Sequence, residues 1–165
     1  MKQLVSLASF SLCLALLTGC GDGRPALVPV TGTVTLNGDP VEGAQVGFEP
    51  QDMGDYSRPS IAVTDQQGQF TVGTYGISDG MPVGMYKVSV FKKEAVGKLP
   101  ENYNSEDTES NPEPVRYQWT VPQIYSTTAE SGLTVEVTAD GMTPDTLALT
   151  GEAEMEESAG GANEP

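Results

Sequence analysis

Met85-Tyr86-Lys87-Val88-Ser89-Val90-Phe91 alternates two sets of side chains at the two-residue period of a β-strand. Met85, Lys87, Ser89 and Phe91 fall on one face, and Tyr86, Val88 and Val90 on the other, which is the expected core face. Met81-Pro82-Val83-Gly84 before it reads as a turn. Further upstream, Ile61-Ala62-Val63-Thr64 and Gln69-Phe70-Thr71-Val72 read as strands around Asp65-Gln66-Gln67-Gly68, a hairpin turn with Gly near the position that needs a left-handed residue. Ala44-Gln45-Val46-Gly47-Phe48-Glu49 alternates again. So does the run from Val28 to Leu36, where Val28, Val30, Val34 and Leu36 are separated by Thr or Gly. Asn37-Gly38-Asp39-Pro40 then supplies turn chemistry, because Gly tolerates the positive φ of a tight turn.

Downstream, Lys92 to Arg116 breaks this rhythm with Pro100, Pro112 and Pro114 and the charged run Glu106-Asp107-Thr108-Glu109. A loop of that length inside a compact domain is either functional or disordered, and disorder is the expectation. Trp119 and Ile124-Tyr125 follow, then strands at Leu133 to Thr138 and Thr146 to Thr150, joined by Ala139 to Pro144. From Gly151 the only apolar residues are Ala and Met, with Glu152, Glu154, Glu156 and Glu157 among them, so residues 151–165 are expected to be a disordered acidic tail. About seven short strands punctuated by Gly and Pro turns predict an all-β fold. The expectation is a single antiparallel β-sandwich of seven or so strands over residues 28–150, with a long irregular insertion at 92–116.

Residues 1–19 have the parts of an export signal: Lys2, an apolar stretch from Leu4 to Leu17, then small residues. The stretch is shorter than the roughly 20 residues a spanning helix needs, and Ser6, Ser9 and Ser11 dilute it. Leu17-Thr18-Gly19-Cys20 resembles the lipobox of bacterial lipoproteins, whose cysteine is acylated after the signal is removed. The resemblance implies a membrane partner reached through acyl chains on Cys20, which bind at about 0.8 kcal/mol per buried methylene. The alternative is an ordinary cleaved signal with a coincidental cysteine. Cys13 lacks the Leu-small-small context and would leave with the signal. Residues 20–27 read as a flexible, lipidated tether that opens Gly21-Asp22-Gly23-Arg24-Pro25. Gly21 rather than Asp after the cysteine favours, by the same resemblance, transfer to the outer membrane facing the periplasm.

The formal charge of −15 argues against nucleic acid or anionic headgroups bound by charge, because both need clustered Lys and Arg. There is no His, which removes the commonest transition-metal ligand and the commonest general base. With Cys20 the only cysteine after processing, the domain has no internal disulfide and is held by packing and strand pairing.

Val30-Thr31-Gly32-Thr33-Val34 and Leu36-Asn37-Gly38-Asp39-Pro40-Val41-Glu42-Gly43-Ala44 are similar to the opening of carboxypeptidase regulatory-like (transthyretin-like) domains. Thr64-Asp65-Gln66-Gln67-Gly68-Gln69-Phe70 resembles their second signature, and Pro82 to Val90 their third, a Gly-x-Tyr lead into a central strand. With the lipobox, the chain looks like a planctomycete-type lipoprotein of this kind, in which Gln123 to Ser126 and Leu133 to Val137 also have counterparts. The resemblance implies a non-catalytic, seven-stranded antiparallel β-sandwich, prealbumin- or Ig-like. On that reading Gly32 is a bulge or close-packing position, Gly68 and Gly84 are turn positions, and Tyr86 is a core aromatic with its hydroxyl at the rim.

Enzymatic chemistry has little to work with. Transthyretin-related hydrolases need His residues and a terminal Tyr-Arg-Gly-Ser, and the last strand here ends Leu147-Ala148-Leu149-Thr150. Ser and Cys nucleophiles have no His partner. Asp52 with Asp55, or Glu106 with Asp107 and Glu109, lack the spacing that wraps a calcium ion and read as solvated surface charge. No catalytic residue, metal site or cofactor is expected. The expected function is a lipid-anchored interaction or structural module in the cell envelope, contacting an envelope protein or carbohydrate through Tyr103, Tyr117 and Trp119. For Trp119 the competing reading is core packing under the loop. The alternative function is a lipoprotein that binds a small ligand, carbohydrate or Ca²⁺.

Overall fold

A computed structural model describes residues 23–52, 54, 58–97, 99, 116–152 and 154–157. Their strands are β1 Leu27–Val28, β2 Thr31–Leu36, β3 Asp39–Pro40, β4 Gln45–Pro50, β5 Ser60–Val63, β6 Gln69–Thr71 and β7 Met81–Pro82. They continue as β8 Gly84–Phe91, β9 Lys93–Ala95, β10 Arg116–Trp119, β11 Leu133–Thr138, β12 Gly141–Thr143, β13 Thr146–Leu149 and β14 Glu154–Glu157. A three-residue 3-10 turn, Gln123–Tyr125, is the only helical element among the described residues. None of their helices is long and apolar enough to cross a membrane.

The central strand β8 buries Tyr86, Val88 and Val90 and turns Met85, Lys87 and Phe91 outward, as its alternation predicts. It lies in the middle of a five-stranded antiparallel sheet ordered β12-β11-β8-β4-β5. A second sheet is built on β2, which pairs with β13 on one side and with β3 and β6 on the other. Val46, Phe48, Val88, Val90, Val135 and Val137 from the first sheet share one core with Val34, Phe70, Leu147 and Leu149 from the second. The Phe48 and Phe70 rings meet across it at 5.9 Å. This arrangement is consistent with a β-sandwich. Valine dominates the core because a β-branched side chain loses little freedom on a pleated surface.

Four expectations need correction. The described strands form several small sheets, of five, four, three and two strands, rather than one seven-stranded unit. The β2–β13 pair is parallel, so the fold is not wholly antiparallel. Pro29 splits the expected first strand. It has no N–H to donate, and β1 before it pairs with β7, so Leu27 belongs to the fold rather than to the tether and Met81–Pro82 is a buried strand rather than a turn. Finally, Glu154–Glu157 in the acidic tail forms β14 on β10, while Lys93–Ala95 and Arg116 at the margins of the 92–116 insertion are strand as well.

Turn chemistry closes the β2–β3 hairpin where the sequence places it, whereas the 65–68 turn joins β5 to β6 in the other sheet and closes no hairpin. Asn37 and Gly38 both have positive φ, at 54° and 96°, as a two-residue hairpin loop between β2 and β3 requires. Gly32 is a close-packing position: a Cβ there would lie 2.5 Å from Phe70 Cζ and 2.8 Å from the Asp145 carbonyl oxygen. The Tyr86 hydroxyl donates to the Pro82 carbonyl at 2.8 Å, and burial first, then the nearby Tyr75, pushes its pKa up.

Strand direction gives the domain two poles. The chain enters beside β7, at the end where β8 begins opposite Pro50 and Val137. At the other end, Phe91 of β8 lies opposite Gln45, and Leu36 of β2 opposite Leu149 of β13. Eight strand residues separate the two ends of β8 by about 25 Å.

Candidate functional site

Two sequence-nominated residues meet in an arm at the pole opposite the chain entrance. Past Phe91 the chain continues as β9, returns as β10, and is joined on the free side of β10 by β14, giving the order β14-β10-β9. Thr120 N–H donates to the Lys92 carbonyl at 3.1 Å, which fixes the base of the arm to the end of β8. Tyr117 and Trp119 are two apart on β10 and therefore share a face. Lys93, opposite Trp119 in the register, places Nζ 4.3 Å from the Tyr117 ring centroid and 5.1 Å from that of Trp119.

Trp119 is only 5% exposed, and its ring meets Phe91 edge-on at 5.2 Å. Its position agrees with the packing reading: the indole joins the arm to the outer face of the five-stranded sheet rather than offering an open stacking platform. Tyr117 is half-buried and so is the more accessible of the two. Cys20, Tyr103, Asp55, Glu106, Asp107 and Glu109 lie outside the described residues, while Asp52 is exposed. Lys93 was not legible as a partner. Its only signal was a cation just beyond a strong strand, and its pairing with Trp119 depends on how the insertion closes.

The opposite pole holds a second cluster. Arg24 and Arg58 place their guanidinium carbons 4.8 Å and 5.3 Å from the Tyr75 ring centroid. A recess of about 300 Å³ beside them is lined by Gly23, Pro25, Asp52, Arg58, Thr74 and Pro82. Tyr75 opens a loop that Asp79 closes: its Oδ1 accepts the Thr74 N–H at 2.7 Å and its Oδ2 the Tyr75 N–H at 3.2 Å. The Thr74 N–H bond, aided by the other backbone N–H groups and against some desolvation, holds the Asp79 carboxyl below the ordinary carboxylate value of 3.8. Beneath the loop the Thr74 hydroxyl donates to the Gly80 carbonyl at 2.7 Å. It therefore has only a lone pair to offer Ser60 Oγ, also 2.7 Å away, so Ser60 is the donor in that pair.

A larger groove of about 860 Å³ runs between β5 and β6, whose strands belong to different sheets but are joined at one end by the 65–68 turn and at the other by the Ile61–Gly73 bridge. Ile61, Val63 and Ile77 line it with Asp65 and Asp145. Among the described residues no three acidic or cysteine side chains converge as a metal site. The chemistry available at these surfaces is apolar contact, hydrogen bonding and cation–π attraction. No protein-family model matches the chain, and no curated protein or solved structure matches it either.

Proposed function

We propose that the chain is a lipid-anchored, non-catalytic protein of the cell envelope whose β-sandwich holds an interaction arm away from the membrane. One observation carries this reading: the chain enters the fold at one pole and the arm with Lys93, Tyr117 and Trp119 stands at the other. Leu27 in β1 is the seventh residue after Cys20, the lipobox cysteine, and an extended chain spans at most about 3.6 Å per residue. The near pole is thus held within about 25 Å of the acyl chains, and the arm faces outward. An envelope protein or a carbohydrate is the partner class, since an aromatic–cation pair suits both. The reading includes an outer-membrane location facing the periplasm. It also includes a prealbumin-type, transthyretin-like sandwich, supported by two principal sheets that share one core.

The test has two parts. Cys20→Ser releases the protein into the soluble fraction; a variant that stays with the membrane removes the anchor from the proposal. Crosslinking of the anchored protein in its own envelope identifies a partner lost in Tyr117→Ala. If Tyr117→Ala and Trp119→Ala both retain that partner per folded molecule, the arm is not the binding surface.

The 860 Å³ groove favours a second reading, a lipoprotein that binds a small ligand or cation. A ligand specific for the folded state raises the melting temperature. No shift in millimolar Ca²⁺ removes the cation form of this alternative.

A further inference from the structure

Ile77 is 99% exposed, at the tip of the loop from Thr74 to Gly80. An isoleucine wholly in water is ordinary on a mobile segment, but this loop is built to stay put. Asp79 ties down both Thr74 and Tyr75, Thr74 is pinned to Gly80 and Ser60, and Gly80 N–H donates to the Val72 carbonyl at 2.9 Å. Gly80 packs so closely on β1 that a Cβ would lie 2.3 Å from the Val28 carbonyl oxygen. The tip is therefore presented in a fixed position relative to the strand by which the chain enters. Its ordering cost has already been met in folding, so a contact made there need not immobilise the loop again.

The tip stands at the rim of the groove between β5 and β6, and the base of its loop lies beside two arginines. Arg24, beside Gly23 where the described chain begins, lies over the Tyr75 ring, and Arg58 lies near it too. These are two of the three arginines in a chain of net charge −15, and both stand at the pole from which Cys20 is four residues away. Val83, 58% exposed, follows directly on the Leu27–Pro82 pair at the same pole. Exposed aliphatic side chains, a tyrosine and arginines in one place are the composition of a membrane-interface contact: the aliphatics enter the acyl boundary, the ring lies among the headgroups and the guanidinium groups reach phosphate oxygens.

We propose that the Thr74–Gly80 loop is a second, non-covalent contact with the bilayer, in which Ile77 enters the headgroup–acyl boundary while Arg24 and Arg58 engage lipid phosphates. This rests on the proposed anchoring at Cys20. The acyl chains supply the affinity, and because they keep the loop at high local concentration beside the surface, a weak contact suffices. Its effect is orientation: it seats the near pole on the membrane and turns the arm outward. Asp52 and Asp79 stand beside the two arginines, so this pole carries no excess of cations. The guanidinium groups act as local hydrogen-bond donors to phosphate oxygens, and repulsion from the rest of the acidic chain is screened beyond about 8 Å at physiological salt.

The test uses the full acylated chain in vesicles of phosphatidylethanolamine and phosphatidylglycerol at three to one, with or without bromine on the acyl chains. Trp119, the only tryptophan and at the far pole, serves as an internal reference that bromine does not reach. In Ile77→Trp, about half the emission is lost in brominated vesicles, while the parent chain is unchanged. Adding Arg24→Glu and Arg58→Glu restores most of that emission. Vesicle-bound Ile77→Trp chain with unquenched emission overturns the second contact and leaves the anchor standing; chain that does not float with the vesicles overturns both. Quenching that survives the double charge reversal overturns the role given to the arginines.

Discussion

Asn37 and Gly151, 114 residues apart, exchange a pair of hydrogen bonds: Asn37 Nδ2 donates to the Gly151 carbonyl at 2.7 Å, and Gly151 N–H donates to Asn37 Oδ1 at 3.2 Å. A third bond runs from Asn37 N–H to the Leu149 carbonyl at 2.9 Å. The side chain thus mimics a peptide group and extends the β2–β13 pairing past its last residue. It also fixes the point from which the C-terminal segment leaves for β14.

Asn37→Gly preserves the positive φ and deletes both side-chain bonds, so it lowers stability by about 1 kcal/mol. Asn37→Ala adds the strain of a left-handed non-glycine residue, for a total of about 2 kcal/mol. Urea denaturation of the two variants measures the difference. Equal losses would show that the left-handed turn contributes nothing to the effect.

Gly32→Ala is expected to cost about 2–3 kcal/mol through overpacking. Phe70 and Met142 present side-chain ends that can shift, but the Asp145 carbonyl cannot move without weakening the bond it accepts from Thr33 N–H at 2.9 Å. A thermal melt decides it, and an unchanged melting temperature would mean that the two sheets can part at this point.

Thr64→Val keeps the shape and removes a buried hydroxyl that donates to the Val41 carbonyl at 2.6 Å and accepts from Ala44 N–H at 2.8 Å. Both ends of the Val41–Ala44 turn lose a partner, at a cost of about 2–3 kcal/mol. Faster amide exchange at Ala44 is the specific signature.

Acid should loosen the Asp79 loop before the sandwich. The folded-state pKa lies below the unfolded one, so the carboxylate's contribution is fully present above the ordinary value of 3.8 and is lost as pH falls through the folded pKa. The Thr74 amide exchanges progressively faster below about pH 4 relative to Val88 in β8, and in Asp79→Asn that relative pH dependence disappears. A profile unchanged in Asp79→Asn would assign the loop's rigidity to Thr74 and Ser60 instead.

The outward and inward faces of β8, the left-handed turn at Asn37-Gly38 and the tight turn at Asp65–Gly68 were all legible in sequence, because each depends on residues next to one another. That the second turn carries the chain from one sheet to the other, rather than closing a hairpin, was not legible. A two-residue period decides which side of a strand is buried, and a positive φ selects Gly or Asn, whatever lies elsewhere in the chain. The arm was less legible. Tyr117 and Trp119 were nominated as aromatics near an irregular segment, yet the Lys93 between their rings and the Phe91 beneath Trp119 come from strands across the insertion. The Ile77 loop went unnoticed because one isoleucine among Gly, Ser and Asp has no period.

The sequence by itself determined an all-β chain, its principal strands and turns, and a lipobox-like segment at Leu17 to Cys20. Only the tertiary structure decided that β13 runs parallel to β2, that Pro29 divides the first strand between two sheets, and that the Glu-rich segment at 154–157 pairs with β10. Strand pairing is made by backbone N–H and C=O groups that every residue but proline carries in full, so neither partner nor direction is written in side-chain pattern. The separation of the chain-entry pole from the arm follows from those directions. It is a property of the closed fold, set by which strands meet across the core.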